Sequence, residues 1–195
     1  MNPRNVAILL FDDVEVLDFA GPFEVFAVAS ELHDYALFRV FTVAASTGLI
    51  RARNGLSVHP DYSLESAPRP DILVIPGGVG TRALMSNAAI SGWIAAAAGP
   101  AELTLSVCSG ALLLARAGLL AGLRATTHHQ VLELLREVAP DTEVIAGERY
   151  VDNGRIVTAA GISAGIDASL YVVGRLCGTA ASARTAAYME YRISR

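Results

Sequence analysis

Four short runs dominate the pattern of this chain: residues 6–11 (VAILLF), 38–44 (FRVFTVA), 71–76 (DILVIP) and 103–107 (LTLSV), all rich in apolar and β-branched side chains. The first is apolar throughout, which marks a strand covered on both faces, because a strand with one wet face alternates. Helical periodicities lie between several of these runs. Strand and helix therefore take turns along the chain, and the expected fold is α/β rather than a helical bundle.

Composition narrows the class further. With 195 residues, 53% of them apolar and 17% charged, the chain is neither disordered nor collagenous. It is long enough to bury a large core without metal or disulfide staples. Nothing repeats at a fixed period and no linker stands out, so one domain over 1–195 is expected. A net charge of −4 gives no basic surface for phosphate backbones, and no nucleic-acid partner is expected. Charged residues or glycines interrupt the apolar stretches well short of the roughly 20 residues that span a bilayer, so no membrane partner is expected either. Cys108 and Cys177 allow one disulfide at most, and no secretory leader is legible. The expected location is the reducing cytoplasm.

Helical spacings predict elements over 22–32, with Gly21 and Pro22 setting the start, and over 81–98, with Gly92 as a break. Further helices are expected over 109–117, 130–138, 166–176 and 179–192, the last two separated by Gly178. A small hairpin or edge excursion is expected within 54–66. Asp152-Asn153-Gly154 reads as the turn of another hairpin.

Chemistry concentrates where strands end. Ser106-Val107-Cys108-Ser109-Gly110 is arranged as a nucleophile elbow with sulfur in the reactive place. A helix starting just after it turns free N–H groups toward the sulfur, which favours thiolate and predicts a pKa below the usual value of about 8.5. The competing reading is a buried core cysteine. Pro76-Gly77-Gly78-Val79-Gly80 follows another strand but matches neither GxGxxG nor GxxxxGK[ST], so no nucleotide cofactor is expected. Gly77, Gly78 and Val79 are instead candidates to donate N–H groups to charge developing on a substrate bonded to Cys108, or are a plain strand exit. Asp18, between Leu17 and Phe19, either caps the helix that follows or is a buried acid with a raised pKa, able to exchange protons with a thiol. His128 and His129 follow a short strand, RATT. His128 is a candidate proton carrier or a structural histidine, and no histidine has the spacing of a metal ligand. No metal is expected. Phe19, Phe23, Trp93 and Tyr188 are candidates for pocket or core.

Taken together, LDFAGP (17–22), VIPGG (74–78), SVCSG (106–110), RATTHH (124–129) and AAGISAGID (159–167) resemble the ThiJ/PfpI superfamily, most specifically its isocyanide hydratase-like branch. The resemblance covers nearly the whole chain. It implies a flavodoxin-like three-layer sandwich with a largely parallel central sheet, and a homodimer. It implies Cys108 as nucleophile and Asp18 as the acid bonded to it. Gly77, Gly78 and Val79 then line the oxyanion side, while Ser109 replaces a threonine and keeps its hydroxyl. Ile162 belongs to a pocket segment that is more glycine-rich in the hydratases, and His128 matches a histidine near the site in several branches. The implied activity is cofactor-independent hydration of small-molecule isocyanides to N-substituted formamides. The alternatives are glyoxalase or deglycase chemistry on α-oxoaldehydes with His128 as base, amidase chemistry, and ligand or redox sensing. The protease-like branch places histidine directly after the cysteine, where this chain has Ser109. Relatives fused to a helix-turn-helix module exist, and none is expected within these 195 residues.

Overall fold

In the computed structural model, which describes residues 2–193, a seven-stranded sheet runs through the middle of the molecule. Strand β1 (Arg4–Leu9) leads through α1 (Val16–Glu31) to β2 (Phe38–Ala44). The short strands β3 (Ile50–Arg51) and β4 (Ser57–Val58) pair as a hairpin, and β5 (Tyr62–Ser63) joins the sheet edge, which places the expected excursion. Then come β6 (Ile72–Ile75), α2 (Thr81–Leu84), α3 (Ala88–Ala98), β7 (Leu103–Val107) and α4 (Gly110–Arg116). A lateral unit of β8 (Arg124–Ala125), α5 (Leu132–Val138) and β9 (Glu143–Val144) follows. The hairpin β10 (Tyr150–Asp152) and β11 (Ile156–Ala159) and the helices α6 (Ala164–Cys177) and α7 (Thr179–Tyr188) complete the described elements.

The sheet order is β10-β11-β7-β6-β1-β2-β5, parallel except for the β10/β11 pair. Counting only β1, β2, β6, β7 and β11 in chain order, the arrangement is 2-1-3-4-5, the flavodoxin-like order. Helices α1, α6 and α7 pack together on one side, and α2, α3 and α5 gather around α4 on the other. This explains the unbroken apolar runs: every residue of β6 and β7 is buried, as are the last four of β1. The order reverses between β1 and β6, so a crevice opens beyond their carboxyl ends. The first turn of α1, which carries Asp18, and the loops carrying Gly77 and Cys108 all lie at that end.

Two local expectations are corrected. Helix α1 begins at Val16 rather than at Pro22, which lies inside it. Proline there removes one donor, to the carbonyl four residues back, and packing overrides that loss: Gly21 lies so close to α6 that an added Cβ would sit 3.0 Å from Ile166 Cγ1. The interruption of 81–98 falls between α2 and α3, not at Gly92, because Asn87 caps α3 by accepting from the Ala89 and Ile90 N–H groups at 3.1 and 3.2 Å. Among the described residues, no helix is long and apolar enough to cross a membrane.

Candidate active site

Strand β7 ends at Val107 and the chain turns sharply at Cys108, whose φ of 55° is unfavourable for a residue with a Cβ. The surroundings hold it there. The Cys108 N–H donates to the Ala160 carbonyl at 2.9 Å, and its carbonyl accepts from Thr127 Oγ1 at 2.7 Å. The start of α4 presses against the end of β6, and a Cβ at Gly110 would lie 2.0 Å from the Ile75 carbonyl oxygen. Only glycine fits that approach.

Asp18 sits in the first turn of α1, fully buried, and does not cap its own helix. Its Oδ2 accepts from the Gly77 N–H at 3.0 Å across the crevice, and its carboxyl lies close enough to the Cys108 thiol for each group to shift the other's pKa. Oδ1 is buried without a close N–H or hydroxyl partner among the described residues. Burial pushes this carboxyl up to about 7, against the opposing pull of the Gly77 N–H and the thiol. Of the two readings of Asp18, the geometry therefore matches the buried acid facing sulfur.

The thiol departs from expectation. Burial first, and the facing Asp18 carboxylate second, push it up to about 12. The Ser109 and Ile162 N–H groups pull the other way without prevailing, because Cys108 is only 8% exposed and α4 has just seven residues. The expected low-pKa thiolate is corrected accordingly. Between these two values the pair retains one proton, shared between carboxyl and thiol.

The Gly77–Gly78 turn has a second duty. A Cβ at Gly77 would meet Ser109 N at 2.5 Å and Asp18 Oδ2 at 2.9 Å, so its bareness lets three chain segments converge. The Gly78 N–H donates to Ser109 Oγ at 3.0 Å, and Ser109 Oγ donates back to the Gly78 carbonyl at 3.1 Å. Of the three N–H groups expected to face a substrate, those of Gly77 and Gly78 are thus engaged by Asp18 and Ser109. Val79, 51% exposed, stands at the lip of the crevice.

Above the sulfur opens a cleft of about 530 Å³ that brings together Cys108, Ser109, Gly78, Val79, His128 and Ile162. Phe19, Phe23, Trp93 and Tyr188 do not line it. His128 Nδ1 accepts from the Gln130 N–H at 3.2 Å, so the neutral ring carries its proton on Nε2 and is a donor rather than a base. Burial, with His129 next, lowers its pKa and keeps it neutral. Sequence reasoning missed Glu15, Arg53 and Arg82 in the cleft wall. Arg82 follows the Pro-Gly-Gly strand exit, and loops at the carboxyl ends of parallel strands line the crevice. That position was the available signal. Among the described residues, no group of three His, Cys, Asp or Glu side chains is placed to hold a metal.

The DJ-1/PfpI family profile matches residues 4–174. An isonitrile hydratase from Pseudomonas putida is 33% identical over 187 residues, covering 95% of this chain and 78% of that protein. The HTH-type transcriptional regulator GbdR of Pseudomonas aeruginosa is 29% identical over 182 residues, covering 93% of this chain, which spans only 49% of the regulator. Among solved structures, a ThiJ/PfpI family protein from Pseudomonas syringae superposes with a TM-score of 0.88 at 29% identity, over 100% of this chain and 78% of that one.

Proposed function

This chain belongs to the DJ-1/PfpI family, and from that premise we propose that it hydrates isonitriles to N-substituted formamides, with Cys108 as nucleophile and Asp18 as proton carrier. The observation that carries the proposal is the buried Asp18 carboxyl facing the thiol, held by the Gly77 N–H and with Oδ1 unengaged by any close N–H or hydroxyl. Similarity to a named isonitrile hydratase supports the choice of substrate.

Atoms and protons balance across two steps. As sulfur adds to the terminal carbon of R–N≡C, the Asp18 carboxylate takes the thiol proton and delivers it to that same carbon, giving the thioimidate R–N=CH–S–Cys108. Water then adds across the C=N bond, its hydroxyl to carbon and a proton to nitrogen, with Asp18 relaying the proton. Collapse breaks the C–S bond, releases R–NH–CHO and returns the proton to the pair. Ser109 and Ile162 direct N–H groups at the sulfur and steady charge on it as the bond breaks. Gly77 and Gly78 serve here by fixing Asp18 and Ser109, while Val79 and His128 border the substrate. His128, a donor when neutral, does not supply the base that an α-oxoaldehyde reaction asks of it.

The test is to mix the protein with a small isonitrile and follow formamide by NMR. Multiple turnovers are expected, with the Cys108→Ala variant inactive. A wild-type protein that makes no formamide, or a fully active Cys108→Ala variant, refutes the proposal. The pH profile is a second check. The base is an Asp18 carboxylate with a pKa of about 7 and the thiol stays protonated to about 12. kcat/KM should therefore fall about tenfold per pH unit below 7 and level off above it.

A further inference from the structure

We propose that the cleft over Cys108 selects substrates carrying a carboxylate, and that Arg82 is the residue that recognises it. For the reactive end of the substrate this rests on the hydratase reading; the anion subsite itself does not depend on the reaction.

Charge in the cleft wall is locally unbalanced. Two guanidinium groups, Arg53 and Arg82, and one carboxylate, Glu15, line it, although the chain as a whole carries −4. Glu15 is matched with Arg53 at 3.6 Å. Among the described residues Arg82 donates to neutral oxygens alone: its Nη1 donates to the Gly78 carbonyl at 3.3 Å and to Thr81 Oγ1 at 3.2 Å. Those two bonds fix the guanidinium to the loop beside the nucleophile, since Thr81 Oγ1 in turn donates to Ser109 Oγ at 3.2 Å. With Nη1 anchored, Nη2 and Nε remain as a planar fork, the geometry that matches a carboxylate.

The rest of the lining agrees in sign. His128 carries its proton on Nε2, because its Nδ1 is occupied by the Gln130 N–H, and the Asn54 and Gln130 side chains in the lining are neutral amides able to donate. One uncompensated guanidinium suits one negative charge, which favours a carboxylate over a phosphate dianion. Such a group, a few bonds from the electrophilic carbon, would orient that carbon toward the sulfur. Arg82 is exposed, so the discrimination is limited by solvent screening to about tenfold.

The experiment is calorimetric titration of the Cys108→Ala protein, which cannot turn over, with N-formylglycine and with the neutral N-formylglycinamide. The carboxylate should bind about tenfold more tightly at low salt, with the advantage shrinking as salt is raised. Arg82→Gln should remove the preference and Arg82→Lys should keep part of it. Arg124→Gln, at an exposed ion pair away from the cleft, should leave it intact. Equal affinities, no binding of either probe at millimolar concentration, a preference that survives Arg82→Gln, or tighter binding of inorganic phosphate would each overturn the inference. Its failure is distinguishable from that of the hydratase reading. Turnover of neutral isonitriles without a carboxylate preference defeats only the subsite, and a carboxylate preference without isonitrile turnover defeats only the chemistry.

Discussion

Replacing Asp18 by asparagine is expected to lower kcat/KM for isonitriles by about 10²–10⁴-fold, the range for loss of a positioned acid–base group, and at the same time to make the protein more stable at neutral pH. Both effects come from one fact: the carboxyl is buried against a thiol and backbone N–H groups, with nothing cationic beside it among the described residues. Its pKa is raised from 3.8 to about 7 on folding. Below pH 3.8 the group is protonated in both states and its favourable contribution is fully present. As pH rises from 3.8 to 7, the unfolded chain ionises while the folded one stays protonated, and that contribution is progressively lost. The loss is complete above about pH 7 and amounts to roughly 4 kcal/mol at most. Asparagine keeps an oxygen for the Gly77 N–H and never ionises. Urea melts of the two proteins should therefore nearly coincide at pH 4 and separate in favour of Asp18→Asn at pH 8. An Asp18→Asn protein with wild-type turnover would remove Asp18 from the mechanism. Melts that differ equally at pH 4 and pH 8 would show that the carboxyl is not held in the raised state.

Gly110→Ala should damage the protein severely for the addition of a single methyl group. The new Cβ would lie 2.0 Å from the Ile75 carbonyl oxygen and 2.9 Å from that of Pro76, so it meets backbone of the central sheet rather than a side chain that can turn aside. Relief requires α4 to move off β6. That shift would carry Ser109 away from Gly78 and swing the Cys108 turn out of register with Asp18. A destabilisation of about 3 kcal/mol or more is expected, with activity lost in whatever fraction folds. Gly92→Ala is the matched control: it lies in α3 with nothing within 4 Å of the added Cβ, and should stabilise by roughly 0.5–1 kcal/mol. Thermal melts of the two variants decide the matter. A Gly110→Ala protein that melts like wild type would mean that α4 does not press on β6 at this point.

The large elements are readable because their signals are local. Residues 38–44 and 103–107 form strands with the expected bounds, and the Ser-Val-Cys-Ser-Gly setting marks the elbow at Cys108. Boundaries controlled by distant packing are not readable. Pro22 resembles a helix start because the close contact of Gly21 with Ile166, far along the chain, cannot be seen from neighbours in sequence. The thiol differs from its sequence expectation for a similar reason. A helix N-terminus is visible locally, but the burial that outweighs it depends on what covers the sulfur.

By itself, the amino-acid sequence determined the alternation of strand and helix, the parallel buried sheet, the sharp turn that presents Cys108, and an acid at Asp18 within an apolar stretch, because each follows from residue type and spacing along a few turns of chain. The family resemblance already implied Asp18 beside the sulfur; only the tertiary structure decided that the Gly77 and Gly78 N–H groups are used on Asp18 and Ser109, that His128 Nδ1 is taken by the Gln130 N–H, and that Arg82 stands in the cleft wall without an acidic partner among the described residues. Those are relations between loops that leave different strands. Protonation and hydrogen-bond direction are set by whichever groups the sheet order places side by side.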